Sequence, residues 1–107
     1  MNRGDVYYVN FGPSIGGEIK KRRPAVIVSN DAANKYLNRV QVIPLTSQIN
    51  KLYPSEAYVT IGNKKNKAMA DQIATVSKKR LLRKIGKLPN RDMQKVEHAI
   101  IIHLDLH

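Results

Sequence analysis

Cysteine is absent from this chain of 107 residues, and long apolar runs are absent as well. Without cysteine the protein has no disulfide, no thiolate metal ligand and no cysteine nucleophile, a composition that suits a reducing compartment. No apolar run approaches the roughly 20 residues of a membrane-spanning helix, and the first residues, MNRGDVYY, lack the apolar segment of a signal peptide. We therefore expect a cytoplasmic protein without a membrane anchor.

Acidic residues are also scarce, and the chain is strongly basic. Lys and Arg number 19 against 8 Asp and Glu, which gives a net charge of +11. Three basic runs, at residues 20–23, 63–67 and 78–84, carry much of this charge, with Asp71 as the one acidic residue between the second and third. Each run alone could be a solvated face, but together they exceed what solubility requires. The charge favours a surface that binds a polyanion, with nucleic acid preferred over a membrane.

Hydrophobic residues make up 42% of the chain, enough for one core. At this length, folding should bury about 60 to 70% of the surface that the unfolded chain exposes. The sequence has no internal repeat, no low-complexity tract and no linker. Residues 1–107 are therefore predicted to form a single domain.

Strand patterns dominate the first three quarters of the chain. Runs rich in Val, Ile, Tyr and Thr are separated by glycine, proline or asparagine. The predicted strands are residues 4–11, 25–28, 40–47, 56–61 and 68–76. Pro44 suggests an edge position or a bulge in the third strand. The basic run at 63–67 is interpreted as a solvated turn.

Helical patterns are short until the C-terminus. The polar triplet at 29–31 offers N-cap side chains for a helical turn over residues 31–38. After residue 77 a helical turn leads to an extended piece, and residues 90–106 carry apolar side chains at helical spacing, with Asn90 as the predicted N-cap. The prediction is a mostly β chain with α (α+β): a small barrel of about five antiparallel strands, or a strongly bent sheet, with one C-terminal helix.

The histidines, the usual candidates for acid–base chemistry, all lie near the C-terminus. His98, His103 and His107 have no HExxH frame around them, and Asp105 is the one carboxylate beside the last two. Glycine motifs that cradle phosphate are missing too. Surface histidines are the favoured interpretation, and we expect no metal site and no cofactor.

A second candidate set surrounds the start of the second predicted strand. If Arg23 begins that strand and Thr46 and Ser47 end the next, antiparallel pairing brings a guanidinium and two hydroxyls to one end of the sheet. Glu18 in the preceding loop and Gln72 on the fifth strand could join them. An arginine fork matches phosphate oxygens and a hydroxyl can bond a developing charge, so the set suits phosphodiester chemistry.

Two structural alternatives stay open for these residues. Arg23 could form an ion pair with Glu18 or Asp71, and spacing alone does not decide between this pair and a catalytic role. The five tyrosines could stack on unpaired RNA bases, but tyrosine at alternating strand positions is more often core packing.

Four segments of the chain resemble the MazF/PemK family of toxin endoribonucleases. They are RGDVYYVNFGPSIGGE at residues 3–18, RPAVIVSND at 23–31, PLTSQ at 44–48 and ADQIATVSKKRL at 70–81, in the family's order and at its spacing. The resemblance implies an SH3-like barrel of the CcdB/PemK type and a homodimer. It also implies metal-independent, sequence-specific cleavage of single-stranded RNA or mRNA, and an antitoxin whose acidic, disordered tail lies in the RNA groove.

The resemblance carries site residues over position by position. It implies catalytic roles for Arg23, Thr46 and the loop residue Glu18. The implied RNA-binding residues are Gly17, where some relatives have serine, Ser47, Gln48, the Asp71-Gln72 pair and Arg80. Arg22 lies outside the family's pattern and is interpreted as an electrostatic addition.

The implied chemistry is attack of a ribose 2′-hydroxyl on the adjacent phosphate, which leaves a 2′,3′-cyclic phosphate and a 5′-hydroxyl. Arg23 would stabilise the phosphorane, and Thr46 would bond a nonbridging oxygen. A guanidinium stays protonated at neutral pH, so Glu18 competes with Arg23 for the role of general base. Two other functions stay open: a CcdB-like toxin that poisons gyrase without nuclease activity, and a non-catalytic RNA-binding module with an SH3-like barrel.

Overall fold

The computed structural model describes residues 1–12, 16 and 22–107, and most of them lie in strands. The described strands are β1 (Asp5–Asn10), β2 (Arg22–Ile27), β3 (Arg39–Thr46), β4 (Glu56–Ile61), β5 (Lys64–Met69), β6 (Ala74–Ser77) and β7 (Leu81–Lys87). Helix α1 (Asp31–Tyr36) separates β2 from β3, and helix α2 (Asn90–His103) follows β7. The predicted mostly β chain with a C-terminal helix is confirmed, with seven described strands where about five were expected.

The strands form one curled antiparallel sheet with core on both faces. Its order is β4-β5-β3-β2-β1-β7, and β6 pairs with β3 beside β5. One core cluster includes Val6, Val26, Ile43, Leu45, Met93, Val96 and Ala99, and the other includes Val9, Ala25, Ile27, Val40, Val42 and Val76. Successive side chains of a strand point to opposite faces. Burial of both faces therefore explains why β2 and β3 carry near-continuous aliphatic runs.

Strand β3 is the centre of the sheet. It pairs along one edge with β2, where Ala25 lies opposite Pro44. Along the other edge its first half pairs with β6 and its last two residues pair with β5. Pro44 stands between these two ladders, so its missing N–H interrupts neither of them. The predicted edge position is therefore wrong, and the proline marks the point where β3 changes partner.

The basic run at 63–67 is part of a strand, so the prediction of a solvated turn is wrong. The hairpin from β4 to β5 turns at Gly62 and Asn63. Gly62 has φ of +59°, the positive value that a type II′ turn requires at its first central residue. Lys67 is buried in β5, and the carboxylate of Glu56 lies 2.9 Å from its ammonium. A charge of the opposite sign makes that burial possible.

The predicted fifth strand over residues 68–76 is interrupted. Ala70–Gln72 forms a 3-10 turn, so Asp71 and Gln72 lie between β5 and β6 rather than inside a strand. The interruption takes the chain from the Thr46 end of β3, where β5 pairs, back to its first half, where β6 pairs. After residue 77 the predicted helical turn and extended piece are confirmed as a 3-10 turn, Lys78–Arg80, followed by β7.

Helix α2 closes one face of the sheet. Its buried residues Met93, Val96 and Ala99 recur at helical spacing and pack into the first core cluster. Asp92, which is 3% exposed, accepts a hydrogen bond from the backbone N–H of Thr60 at 2.9 Å. This carboxylate in the first turn ties the positive end of the helix to β4.

The helix ends differ from the predictions in detail. Asn30 caps α1 with its side chain, as the polar triplet suggested. Pro89 occupies the N-cap position of α2, so the predicted Asn90 cap is wrong. The helix ends at His103 and leaves Leu104 exposed, so its predicted extension to residue 106 is also wrong. Within the described ranges, no helix is long and apolar enough to cross a membrane.

Candidate functional site

A cavity of about 420 Å³ opens where β2 begins and β3 ends. These two ends meet because neighbouring antiparallel strands run in opposite directions. Six strands and the first residue after β3 line it: Tyr8, Arg22, Arg23, Pro24, Leu45, Ser47, Ile61, Lys64, Asn66 and Ile85. Of the residues predicted for the site, the cavity brings together Arg22, Arg23 and Ser47.

Arg23 and Thr46 stand beside each other on neighbouring strands. The β2–β3 register sets Ala25 opposite Pro44. Continued two residues beyond the last pair, the same register would bring Arg23 opposite Thr46. The hydrogen bond from Arg23 to the carbonyl oxygen of Leu45 places the arginine beside this end of β3. The antiparallel pairing of β2 with β3 is the arrangement that the sequence predicted around these two residues.

The described residues use only part of the hydrogen-bonding capacity of the Arg23 guanidinium. Nη1 donates to the carbonyl oxygen of Leu45 at 3.3 Å. Nε is buried and has no hydrogen-bond partner among the described residues. Buried donors without a partner are rare, and they are found at sites with a functional demand.

The alternative of a structural ion pair is partly excluded. Within the described part of the chain, no ion pair joins Arg23 to Asp71. Glu18, the other proposed partner, lies outside the described residues, and so does Gly17.

Thr46 is the last residue of β3 and is 9% exposed. Its Oγ1 accepts a hydrogen bond from the backbone N–H of Gln48 at 3.2 Å, which orients the hydroxyl as the chain leaves the strand. A hydroxyl that accepts one bond still has its O–H to donate. Thr46 can therefore offer a hydrogen bond to an anion beside Arg23, while Ser47 and Gln48 are exposed next to it.

The cavity is cationic. Arg22, Arg23 and Lys64 line it, and none of its described lining residues is acidic. A concave surface lined by charges of one sign concentrates ions of the other sign. Guanidinium and ammonium donors beside hydroxyls match phosphate oxygens and can stabilise extra charge that develops on them. The arrangement is suited to bind a phosphodiester and to stabilise its transition state.

Asp71 and Gln72 are not part of this cavity. Their 3-10 turn lies between Ala68, which pairs with Leu45, and Ala74, which pairs with Val42. The turn is therefore beside the middle of β3, away from its Thr46 end.

Arg80 is also absent from the cavity lining. Its Nη1 donates to the carbonyl oxygen of Asn10 at 3.0 Å, at the residue where β1 ends. Arg80 thus supports the start of the segment that connects β1 to β2.

Seven lining residues were not among the predicted site residues: Tyr8, Pro24, Leu45, Ile61, Lys64, Asn66 and Ile85. Tyr8 is half-buried, and the guanidinium of Arg83 lies 5.1 Å from its ring centroid. Lys64 and Asn66 belong to the basic run that was interpreted as a turn. The Gly62-Asn63 dipeptide between two strand-like runs was the signal that could have placed them on a hairpin.

The histidines lie apart from the cavity. Nδ1 of His103 is 3.1 Å from Oγ of Ser55, and Nε2 of His107 is 3.4 Å from a carboxylate oxygen of Asp105. Across residues 1–12, 16 and 22–107, no three His, Cys, Asp or Glu side chains are grouped closely enough to hold a metal ion.

The sequence matches known proteins over nearly its whole length. The family of PemK-like, MazF-like toxins of type II toxin–antitoxin systems matches residues 2–104. Endoribonuclease MazF9 of Mycobacterium tuberculosis is 38% identical over 115 positions, which cover 99% of this chain and 98% of that protein. Endoribonuclease MazF of Staphylococcus saprophyticus is 39% identical over 113 positions, with coverage of 100% and 93%.

Solved structures share the fold. An endoribonuclease from a mycobacterial species, in complex with its cognate antitoxin, has a TM-score of 0.85 at 26% identity. The match covers 100% of this chain and 97% of the mycobacterial chain. MazF from Deinococcus radiodurans has a TM-score of 0.85 at 25% identity, with coverage of 99% and 97%. The resemblance found in four sequence segments is thus confirmed along the whole chain. This protein belongs to the PemK-like, MazF-like family of toxins of type II toxin–antitoxin systems.

Proposed function

We propose that this protein is a toxin that acts as a metal-independent, sequence-specific endoribonuclease on single-stranded RNA, including mRNA. The observation that carries the proposal is the position of Arg23, bonded to the carbonyl oxygen of the residue before Thr46, in a cationic cavity whose described lining has no acidic residue. The reaction class is supported by two relatives of nearly full-length similarity, both named endoribonucleases.

The proposed reaction uses a nucleophile that the RNA itself supplies. The ribose 2′-hydroxyl attacks the adjacent phosphorus, and the bond to the 5′-oxygen breaks to leave a 2′,3′-cyclic phosphate and a 5′-hydroxyl. We assign Arg23 to stabilising the charge on the phosphorane and to protonating the leaving oxygen. Thr46 donates a hydrogen bond to a nonbridging oxygen. Both contacts strengthen as negative charge develops, which is the condition for lowering the barrier.

The 2′-hydroxyl must lose its proton during this attack. A guanidinium stays protonated at neutral pH, so Arg23 is poorly suited to take that proton. We therefore assign the general base to Glu18, five residues before Arg23 in the segment that leads into β2. A carboxylate within hydrogen-bond reach of the hydroxyl would suffice.

The remaining proposed RNA contacts differ in their support. Arg22 and Ser47 line the cavity, and Gln48 is exposed beside them. Arg80 bonds to the end of β1. For Gly17, Asp71 and Gln72 the support is the family motif alone.

The proposal includes a homodimer, an acidic antitoxin with a disordered tail, and action in the cytoplasm. The antitoxin is supported by the mycobacterial endoribonuclease that was solved with its cognate antitoxin. A net charge of +11 also favours an acidic partner, because an acidic segment can occupy sites that otherwise bind phosphates.

Cleavage of a long unstructured RNA in EDTA tests the proposal. Wild-type protein should cut at discrete sites and leave 2′,3′-cyclic phosphate ends. Arg23→Ala should lower kcat by about 10²- to 10³-fold or more while circular dichroism and the melting temperature show an intact fold. Arg39→Ala removes the same charge from an exposed site at the other end of β3 and should cleave like wild type. Full activity of Arg23→Ala would contradict the assignment.

The same assay separates the competing functions. Intact RNA together with inhibition of gyrase would favour a CcdB-like toxin. Salt-sensitive RNA binding without new product ends would favour a non-catalytic module. A single 2′-deoxynucleotide at a mapped cleavage site should abolish cutting there, since the nucleophile is missing.

A further inference from the structure

Lys67 is a lysine that the fold buries. The residue is 8% exposed, and its ammonium donates to a carboxylate oxygen of Glu56 at 2.9 Å and to the carbonyl oxygen of Lys51 at 2.7 Å. The side chains of Lys67 and Glu56 are only 10% and 11% exposed. Desolvation of two charges is costly, and replacement of such a pair by apolar residues is often neutral or stabilising. A contribution to stability is thus a weak explanation for this pair.

Lys67 and Glu56 bind the backbone of the loop that follows Thr46. This loop, residues 47–55, connects β3 to β4. Lys67 lies directly opposite Thr46 in the β3–β5 register, and its ammonium reaches across to Lys51 in the middle of the loop. Glu56 is the first residue of β4, and its Oε1 also accepts a hydrogen bond from the backbone N–H of Tyr53 at 2.9 Å.

A third side chain holds the same loop from β4. The hydroxyl of Tyr58 donates to the carbonyl oxygen of Ile49 at 2.9 Å. The loop backbone is therefore fixed at residues 49, 51 and 53 by two side chains from β4 and one from β5. Loops fixed at several backbone groups exchange fewer conformations than loops held at their ends alone.

The held loop starts inside the cationic cavity. Ser47 lines that cavity, and residues 48–54 continue outward from it with mostly exposed side chains. We expect an RNA strand with a phosphate at Arg23 to lay nucleotides on one side of that phosphate against these residues. Sequence is read by groups at fixed distances from the bound phosphate, so a single loop conformation favours a single register of bases.

We propose that Lys67 and Glu56 are positioning residues that hold the 47–55 loop in one conformation and thereby select which phosphodiester is cut. The inference rests on the proposed endoribonuclease activity. Neither side chain reaches the reacting atoms, and both act through the loop backbone.

Cleavage-site mapping with a matched pair of lysine variants tests this role. Lys67→Met keeps the apolar stem and removes the ammonium. Lys35→Met removes one charge from an exposed lysine of α1, where the ammonium lies 5.4 Å from the ring centroid of Tyr36. The measured quantity is the ratio of kcat/KM at the preferred wild-type site to kcat/KM at secondary sites of one long RNA. Lys67→Met should lower this ratio by about 10- to 100-fold, and Lys35→Met should leave it within about twofold of wild type.

The ratio separates positioning from stability. Partial unfolding lowers cleavage at every site by the same factor and leaves the ratio unchanged, so an unchanged ratio in Lys67→Met would overturn the proposal. Tyr58→Phe provides a second, milder variant if Lys67→Met does not fold. It removes one anchor of the loop, keeps the ring, and should lower the ratio in the same direction by a smaller factor; an unchanged ratio there counts equally against the proposal.

Hydrogen exchange gives a readout that does not depend on RNA cleavage. Amides of residues 48–53 should exchange about tenfold faster in Lys67→Met than in Lys35→Met, while amides of β1 and β2 exchange alike in both. Failure of the wild-type protein to cut any RNA would refute the proposed function and the selection role with it. Unchanged exchange would refute the loop clamp even if RNA is cut.

Discussion

Arg22 and Arg23 are adjacent in sequence but differ in environment. Arg22 is exposed, and Arg23 is half-buried with one nitrogen bonded to the carbonyl oxygen of Leu45. Adjacent residues of a strand point to opposite faces, so one rigid backbone presents the two guanidinium groups differently. We expect Arg22 to contribute to RNA affinity and Arg23 to turnover.

The two arginines should separate on mutation. Arg23→Ala should lower kcat with a small change in KM, because it removes a contact that strengthens in the transition state. Arg22→Ala should raise KM and reduce the salt dependence of binding by about 0.7 in slope, the value of one phosphate contact on a single strand. Initial rates at several RNA concentrations, measured from 50 to 300 mM NaCl, give kcat and KM for both variants. This range is about a sixfold change in salt and allows the salt slope to be fitted. Losses of the same kind from both variants would contradict this division.

A second residue-scale prediction concerns the hydroxyl of Thr46. Thr46→Val keeps the shape of the side chain, removes the donor to phosphate and leaves the N–H of Gln48 without its acceptor. We expect kcat to fall by about 10²-fold. Thr46→Ser restores the hydroxyl and should recover most of the activity. Full activity of Thr46→Val together with a loss in Thr46→Ser, with unchanged melting temperatures, would show that the methyl group matters and the hydroxyl does not.

At the scale of elements, α2 depends on one polar contact as well as on its apolar face. Asp92 is buried and bonds to the N–H of Thr60. Asp92→Ala should lower the free energy of unfolding by about 1 to 3 kcal/mol, the cost of leaving a donor without its acceptor. Asp105→Asn removes the charge of an exposed carboxylate after the helix, at a φ of 55° that asparagine also tolerates, and should change it by less than about 0.5 kcal/mol. Urea unfolding measures both, and equal midpoints would refute the role of Asp92.

The elements also show how far local sequence pattern reaches. The pattern predicted β1, β4 and α2 within a few residues, because apolar period and turn residues mark them. It failed at residues 63–67, since five consecutive polar residues conceal a strand whose buried Lys67 is neutralised by Glu56 across the hairpin. It failed at residues 70–72 because the change of partner along β3 is a property of the sheet.

At the scale of the whole molecule, positive charges occur along much of the chain, but the proposed anion-binding site is confined to one cavity. Removal of Arg22 and Lys64 together should reduce the salt slope of RNA binding by about 1.4, two phosphate contacts on a single strand. Removal of Lys35 and Arg39, which lie in α1 and at the start of β3, deletes the same charge and should leave the slope within about 0.3 of wild type. A 2′-O-methyl RNA, which lacks the nucleophile, allows binding to be measured without cleavage. Equal slopes for the two double variants would show that RNA binds by diffuse charge.

Part of the candidate site could be predicted from the sequence. The Arg23–Thr46 pair follows from two strand ends that are close in sequence order, and family motifs name both. Lys64 and Ile85 could not be inferred, because they reach the cavity only when the sheet curls and brings β5 and β7 near the start of β2.

The hairpin at Gly62 and Asn63 has a consequence for engineering. A cut between them gives one fragment with β1 to β4 and another with β5, β6, β7 and α2. The second fragment supplies both strands on one edge of β3, the strand beside β1, and the helix that covers β4. Neither fragment can bury its core alone, and Arg23 and Lys64 reach a common cavity only when the two associate. A chain divided there would become a split enzyme. The separate fragments would be inactive, and activity would appear when two fused partner proteins bring the fragments together.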